Sequence, residues 1–205
     1  MRQFRPPRPG LRARRLLPTL LLTLLALAPL GAQTPEVPDD FARRLTQLGL
    51  QLDLPPEAGY RPARARDNAY LATHCALQSR RERTEIRYHL VPELPGDPYA
   101  GRPHLRAGTL ALNLGSNDAD AVTAVHRFEA DELATLRADW ARMYTFRPKR
   151  SYSIRATAQL VAVYRAGRGL AYTVLLFDEA PPEVDARQLA LRFSAEARQG
   201  VRPAQ

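Results

Sequence analysis

The side chains best suited to binding a ligand lie in one short run that mixes aromatic and basic residues around the only tryptophan, Trp140. Arginine and lysine bind anions through charge-assisted hydrogen bonds, and aromatic rings offer faces for stacking. The run therefore predicts a site for a small anionic or sugar-like ligand, formed by Asp139, Trp140, Arg142, Tyr144, Arg147 and Lys149. The alternative interpretation is that Trp140 fills the core while the arginines remain solvated.

The four histidines and the single cysteine do not have the spacing of a metal site. His74, His89, His104 and His126 form no HExxH motif, and one cysteine cannot supply a CxxC pair. His74 and Cys75 are neighbours on a predicted strand, so their side chains point to opposite faces. We expect Cys75 to be a buried, inert thiol on an apolar strand face. The sequence therefore predicts no bound metal and no cofactor.

Motifs that would identify a common enzyme class are absent from the sequence. There is no GxSxG motif, no phosphate-binding glycine loop and no dinucleotide fingerprint. Gly167 and Gly169 belong to the connection of a predicted hairpin. Asp118 and Asp120 resemble scattered calcium ligands, but the later glutamate and central glycine of a calcium loop are missing. We interpret that segment as a solvated turn.

A second group of polar side chains lies on the predicted strand Glu85–Leu90. Alternation along this strand places Glu85, Arg87 and His89 on one face, directed toward solvent or toward a site. These three residues are the basis of an alternative hypothesis, a hydrolase-like enzyme that uses scattered polar groups of a sheet face. No catalytic residue is assigned from the sequence, and the balance of motifs favours a protein that is not an enzyme.

Hydrophobic periodicity and turn residues predict the helices and strands that carry these side chains. One run is ambiguous: Leu110–Leu114 fits a strand or a helical turn. Residues 92–103 are predicted to form a loop. The predicted elements are a helix from Asp39 or Asp40 to Leu48, strands Leu50–Leu54 and Tyr70–Leu77, a helix from Asp131 through Trp140, strands Gln159–Arg165 and Leu170–Phe177, a helix Val184–Leu189, and a strand Ala190–Phe193.

The predicted hairpin Gln159–Phe177 is apolar on both faces of both strands. Such strands lie in the middle of a sheet that is covered on both sides. The sequence therefore predicts an α+β fold with a single domain, in which a mainly antiparallel sheet is flanked by helices.

The first 32 residues have the layout of a secretory signal. Six arginines without any acidic residue precede an apolar stretch, Leu16–Leu30, which is followed by the small residues Gly31 and Ala32. The apolar stretch is too short for a comfortable membrane span. We expect export to the periplasm or the medium, with a signal peptide at 1–32, a linker at 33–38, one α/β domain at 39–193 and a flexible tail at 194–205.

The charge balance argues against nucleic-acid binding. The net charge of the whole chain is +9, but the leader holds six of the thirty basic residues and none of the twenty-one acidic ones, which leaves +3 after cleavage. Nucleic-acid binders usually keep a strong basic excess in the folded domain. The expected partner is an unknown protein or a small anionic or sugar-like ligand, and we expect neither nucleic-acid binding nor a membrane span.

Four local strings resemble a family of small exported bacterial proteins of unknown function. They are the strand TEIRYHLVP, the turn Leu112-Asn113-Leu114-Gly115, the step Ala138-Asp139-Trp140 and the hairpin VAVYRAGRGLAYTVLLFD. The resemblance covers about Phe41–Phe193 and implies a PsbP-like α/β/α sandwich. It carries no catalytic residue, so the expected function is an exported, soluble, non-catalytic binding or assembly module.

Overall fold

The computed structural model describes residues 36–66 and 68–195, and within them four α-helices and nine strands form the fold. The helices are α1 (Asp39–Leu48), α2 (Pro103–Leu114), α3 (Ala130–Leu136) and α4 (Val184–Gln188), and a 3₁₀ turn covers Pro56–Ala58. The strands are β1 (Leu50–Leu52), β2 (Arg61–Pro62), β3 (Cys75–Ser79), β4 (Thr84–Pro92), β5 (Thr123–Arg127), β6 (Trp140–Phe146), β7 (Thr157–Arg165), β8 (Gly169–Phe177) and β9 (Leu191–Phe193).

Seven of these strands form one antiparallel sheet in the order β2-β3-β4-β8-β7-β6-β5. The other two, β1 and β9, pair with each other as a separate ribbon. Helices lie against the large sheet, so the predicted fold class is confirmed: a single α+β domain built on an antiparallel sheet. The resemblance to PsbP-like proteins stays a prediction.

The hairpin β7–β8 lies at the centre of the sheet, as its apolar sequence predicts. Strand β8 pairs with β4 on one side and β7 on the other, and every residue of Gly169–Phe177 is buried. A strand in that position needs apolar side chains on both of its faces because neither face contacts water. The continuous apolar run in the sequence therefore has a direct structural cause.

Two separate apolar cores cover the two faces of the sheet. On the α1 face, helix α1, helix α3 and the β1–β9 ribbon pack over side chains such as Leu77, Ile86 and Tyr88. On the α2 face, helix α2 packs over the alternate residues of the central strands, including Leu160 and Tyr172. Alternation of side chains along each strand sends successive residues to opposite cores.

Helix α1 forms as its spacing predicts. Phe41, Leu45 and Leu48 are buried, and Gly49 ends the helix in a left-handed conformation with φ of +63°. The helix begins directly after Pro38, and neither Asp39 nor Asp40 caps its amino terminus with a side-chain hydrogen bond. The predicted short helix near Val184 and the terminal strand are also present, as α4 and β9.

The helix predicted from Asp131 through Trp140 is wrong in its second half. Helix α3 ends at Leu136 because Arg137 adopts a left-handed conformation, with φ of +51°. The Asp139 amide then donates to the Tyr164 carbonyl oxygen at 2.9 Å, and the chain enters β6 at Trp140. Trp140 continues the helical spacing of the apolar residues of α3, so the sequence pattern did not reveal the end of the helix at Leu136.

Two other predicted elements also differ in the structure. The ambiguous run Leu110–Leu114 is the end of helix α2, where Leu110 and Leu114 are buried and Leu112 is 70% exposed. The strand predicted from Tyr70 begins only at Cys75, because residues 68–74 leave the ladder and follow an irregular path beside β4. Strand β1 ends at Leu52 rather than at Leu54.

The predicted signal peptide, residues 33–35 of the predicted linker and residues 196–205 of the predicted tail lie outside the described residues. Among the residues that the structure describes, no helix combines the length and the apolar character that a membrane crossing requires.

Candidate functional site

A cleft with a volume of about 350 Å³ lies on the α2 face, between helix α2 and the 68–74 segment. We call it the tyrosine cleft because three tyrosines contribute to its lining. Its volume is at the lower end of the range for small-molecule sites. The lining residues are Tyr70, Leu71, Val91, Tyr99, Arg106, Thr109, Leu110, Asn113 and Tyr172.

Regular secondary structure positions the floor and one wall of the cleft. Helix α2 contributes Arg106, Thr109 and Asn113, whose spacing of three and four residues places them along one side of the helix. Strand β8 contributes Tyr172, which pairs in register with His89 of β4. Val91 follows His89 by two residues on β4 and therefore lies on the same face.

The opposite wall is the irregular 68–74 segment, which Asn68 shapes through its side chain. The Asn68 Oδ1 accepts hydrogen bonds from the backbone amides of Tyr70 and Leu71 at 3.0 and 2.9 Å. Its Nδ2 donates to the Leu71 carbonyl oxygen at 2.8 Å. An asparagine that bonds the backbone two or three residues ahead fixes a tight turn. This turn determines where Tyr70 and Leu71 stand in the cleft wall.

Two histidines attach the same segment to β4. The Leu90 amide donates to His74 Nδ1 at 3.0 Å, and His89 Nδ1 lies 2.9 Å from the Ala72 carbonyl oxygen. Burial lowers the pKa of His89 to about 4, and burial followed by the charge of Arg44 lowers the pKa of His74. Both imidazoles are therefore neutral near pH 7, with His74 as acceptor and His89 as donor.

Two cations stand at the edge of the tyrosine cleft. Arg106 donates from Nη2 to Asp97 Oδ1 at 2.9 Å, and its guanidinium carbon lies 4.9 Å from the centre of the Tyr99 ring. Lys149 donates from Nζ to the Asn113 carbonyl oxygen at 2.8 Å, and the same atom lies 5.5 Å from the centre of the Tyr70 ring. Cations held over ring faces in this way are ordered before any ligand arrives.

Tyr172 brings a hydroxyl without a hydrogen-bond partner to the lining of the cleft. The residue is 2% exposed, and within the described part of the chain its hydroxyl makes no hydrogen bond. Burial raises the pKa of Tyr172, while the nearby positive charge of Arg106 acts in the opposite direction. A ligand acceptor in the cleft can accept a hydrogen bond from this hydroxyl.

The structure places three of the six sequence-predicted site residues together. Trp140, Arg142 and Tyr144 are alternate residues of β6 and share the α2 face of the sheet. The Arg142 guanidinium carbon lies 5.6 Å from the centre of the Trp140 ring. Tyr144 is buried in the core beneath α2, and none of the three lines the tyrosine cleft.

The other three predicted residues are dispersed. Asp139 accepts a hydrogen bond from the Ala166 amide at 2.8 Å and so supports the β7–β8 turn. Arg147 pairs with Asp118 and Asp120 at 3.2 and 2.7 Å, which is the solvated turn that the sequence predicts. Lys149 contacts Asn113 and Tyr70 of the tyrosine cleft. Ligand binding by the original run of residues stays a prediction.

Glu85, Arg87 and His89 form a buried polar network instead of the open polar face that the sequence predicts. Arg87 Nε lies 2.6 Å from Glu85 Oε1, and Arg87 Nη1 donates to the Tyr152 carbonyl oxygen at 3.0 Å. The Tyr152 hydroxyl lies 3.5 Å from His89 Nε2, and the Tyr152 ring covers the Arg87 guanidinium at 4.4 Å. The polar groups of this strand face are thus paired with one another and with Tyr152, and none of the three residues lines the cleft.

The metal-site question concerns the histidines and Cys75. Within residues 36–66 and 68–195, no three His, Cys, Asp or Glu side chains are grouped so that they could hold a metal ion. Cys75 is buried on the α1 face, as its apolar neighbours predict, and burial raises its pKa to about 12. The thiol is therefore protonated near neutral pH, which removes the thiolate that a nucleophile or a metal ligand requires.

Sequence reasoning missed most of the tyrosine cleft. Tyr70 and Tyr99 lie outside regular secondary structure, Arg106 lies in a part of α2 that was not predicted, and Tyr172 was assigned to the core. The available signal was Tyr99 in the predicted loop 92–103, since large aromatic side chains in loops are often placed for binding. Tyr70 stood at the start of a predicted strand and gave no such signal. The proximity of both tyrosines to Arg106 depends on the tertiary fold.

Comparison with other proteins does not assign this site: no protein-family model and no curated protein sequence matches the chain.

Proposed function

We propose that this chain is an exported, non-catalytic binding module and that the tyrosine cleft holds a small anionic or sugar-like molecule. The single observation that carries the proposal is the Tyr172 hydroxyl, which has no hydrogen-bond partner among the described residues and belongs to a residue that lines a cleft flanked by two cations. A few well-placed polar groups within an otherwise apolar and aromatic lining are typical of small-molecule sites.

The organisation of the cleft before binding supports this proposal. Asn68 fixes the turn that carries Tyr70 and Leu71, and the two histidines attach the same segment to β4. Arg106 is held by Asp97 and stacked on Tyr99. A preformed site loses less conformational entropy when its ligand binds. The contacts around the cleft therefore favour specific binding.

The composition of the lining supports a non-catalytic role. Its polar side chains are three tyrosines, Arg106, Thr109 and Asn113, and it includes no carboxylate, histidine or cysteine. Acid–base and nucleophilic catalysis usually need such a group within hydrogen-bond reach of the substrate. The enzyme hypothesis would need Glu85, Arg87 and His89, which are engaged with one another and with Tyr152 below the surface.

Export and family membership are part of the proposal and depend on the sequence. The basic and apolar leader supports secretion. The antiparallel sheet between helices is compatible with a PsbP-like sandwich and supports the proposed relationship to small exported proteins.

A thermal-shift screen with two matched tryptophan variants tests the proposed function. Thr109→Trp places a large ring at the cleft, whereas Leu112→Trp places the same ring on an exposed part of the same helix. We expect small anions or sugars that raise the melting temperature of the wild type to stabilise Leu112→Trp equally and Thr109→Trp hardly at all. The bound compound should be recovered chemically unchanged after incubation.

Two results would contradict the proposed function. One is equal stabilisation of both tryptophan variants, which would place binding outside the cleft. The other is the absence of stabilisation by every anion and sugar in the screen.

A further inference from the structure

The tyrosine cleft has unused capacity to bind negative charge. Arg106 gives one nitrogen, Nη2, to Asp97, while its Nε and Nη1 have no hydrogen-bond partner among the residues described here. Lys149 donates one hydrogen bond, to a neutral carbonyl oxygen. Two cations thus face one carboxylate at the cleft. A guanidinium with unused donors forms stronger, charge-assisted hydrogen bonds with a carboxylate than with a neutral hydroxyl.

The remaining surface of the cleft favours a flat apolar ring over a polyhydroxyl compound. Tyr70 and Tyr99 provide ring surface at the entrance, and Leu71, Val91 and Leu110 provide aliphatic surface. A sugar that buried its hydroxyls against these side chains would leave many of them without partners, at a cost for each. An aromatic ring has no such requirement and stacks favourably on tyrosine.

From these contacts we infer that the cleft binds a single-ring aromatic carboxylate. Its carboxylate accepts hydrogen bonds from Arg106 and from the Tyr172 hydroxyl, and its ring lies against Tyr70 and Tyr99. The inference rests on the proposed function and narrows the ligand from anionic or sugar-like compounds to one chemical class.

Isothermal titration with four small probes tests the inference on the wild-type protein. Benzoate carries both features, benzamide keeps the ring without the charge, cyclohexanecarboxylate keeps the charge without the aromatic ring, and glucose carries neither. We expect benzoate to bind at millimolar concentration or below. Benzamide should bind about tenfold more weakly or worse, because it loses the charge-assisted hydrogen bonds. Cyclohexanecarboxylate should be intermediate, and glucose should not bind measurably.

Three variants locate the carboxylate. Arg106→Gln should weaken benzoate binding about tenfold or more, and Tyr172→Phe should weaken it severalfold because only the hydroxyl is removed. Arg102→Gln is the matched control, since Arg102 lies one helical turn earlier, is exposed and does not line the cleft. Circular dichroism and the melting temperature show whether each variant is folded. If Arg106→Gln does not fold, Arg106→Lys is used instead. This variant keeps the positive charge but loses the planar guanidinium, and it should also bind benzoate more weakly than the wild type does.

Several outcomes would overturn the inference. These are no detectable benzoate binding, benzamide or glucose binding as tightly as benzoate, or equal benzoate affinity in the Arg106 and Arg102 variants. Thr109→Trp distinguishes failure of this inference from failure of the proposed function. If glucose binds the wild type and not this variant, the cleft is a binding site and only the ligand class is wrong. If Thr109→Trp binds each probe as the wild type does, both proposals fail.

Discussion

The backbone amide of Leu90 donates a 3.0 Å hydrogen bond to the Nδ1 atom of His74. The imidazole thus accepts the hydrogen bond that a strand carbonyl oxygen would accept in a regular ladder. It does so where the 68–74 segment leaves the sheet. His89 makes a complementary bond in which Nδ1 donates to the Ala72 carbonyl oxygen at 2.9 Å. The bond to His74 requires an imidazole that is unprotonated at Nδ1. His89 is kept neutral by burial, since its bond to Ala72 would also form with a protonated ring.

Acid should therefore destabilise the fold and loosen one wall of the tyrosine cleft. The folded-state pKa of His89 is about 4 and lies below the unfolded value near 6.5, so its stabilising contribution is complete above about pH 6.5 and is lost as the pH falls toward 4. Between pH 7 and pH 5 this residue alone should reduce the free energy of unfolding by about 2 kcal/mol. The pKa of His74 is also lowered and contributes in the same direction. Urea unfolding across this range measures the effect.

The environment of the two histidines defines the controls for the pH experiment. Arg44 and Asp40 of α1 act on His74, while Arg87 and His74 act on His89, whose Nε2 faces the Tyr152 hydroxyl. His89→Gln should reduce the pH dependence, whereas the same change at the exposed His104 should leave it as in the wild type. A wild-type unfolding free energy that is constant from pH 7 to pH 5 would refute the coupling.

The buried ion pair between Glu82 and Arg187 should be sensitive to the loss of one partner. Arg187 Nη2 binds Glu82 Oε1, and Arg187 Nε binds Oε2 at 3.2 Å, with 3% and 8% of the two side chains exposed. Arg187→Met leaves a buried carboxylate without its cation and should cost about 3–5 kcal/mol. Arg155→Met breaks the more exposed pair with Asp178 and should cost less than about 1 kcal/mol. If chemical denaturation shows that both variants lose the same free energy of unfolding, burial does not make the Glu82–Arg187 pair more sensitive to the loss of a partner.

Gly169 is required by a close backbone approach at the β7–β8 turn. Its φ is +120°, and an added Cβ would lie 2.6 Å from the Glu93 nitrogen and 2.9 Å from the Pro92 carbonyl carbon. Gly169→Ala should therefore lower stability by at least about 3 kcal/mol. Gly167→Ala is the matched control, because Gly167 also has a positive φ but has open space around it, and should cost about 1 kcal/mol. Similar melting temperatures for the two variants would contradict this account.

Local patterns predicted the parts of the fold in which sequence and environment correspond directly. Helix α1 has one apolar stripe and a glycine end, and the β7–β8 hairpin is apolar because both of its faces are covered. Strand β5 was not predicted because all five of its residues are exposed at the sheet edge and no alternation marks it. Strand β6 was obscured because Trp140 continues the helical spacing of α3.

The tyrosine cleft was not predictable in the same way because its residues come from separate elements. Tyr70, Val91, Arg106 and Tyr172 are distant in sequence, and each has a common structural interpretation when taken alone. Lys149 was predicted as a binding residue for its neighbours in the chain, whereas its contacts are with Tyr70 and Asn113. Composition and spacing indicate local elements, but the convergence of cations and rings depends on how α2, the 68–74 segment and β8 pack together.

The claim that the tyrosine cleft binds a single-ring aromatic carboxylate is tested most directly by nuclear magnetic resonance of ¹³C-labelled tyrosine rings during a benzoate titration. Signals are assigned with single Tyr→Phe variants. The account predicts saturable shifts for Tyr70, Tyr99 and Tyr172, with no shift for Tyr88, which is buried in the core on the α1 face. Unchanged signals from the three cleft tyrosines, or shifts of Tyr88 as large as theirs, would contradict it.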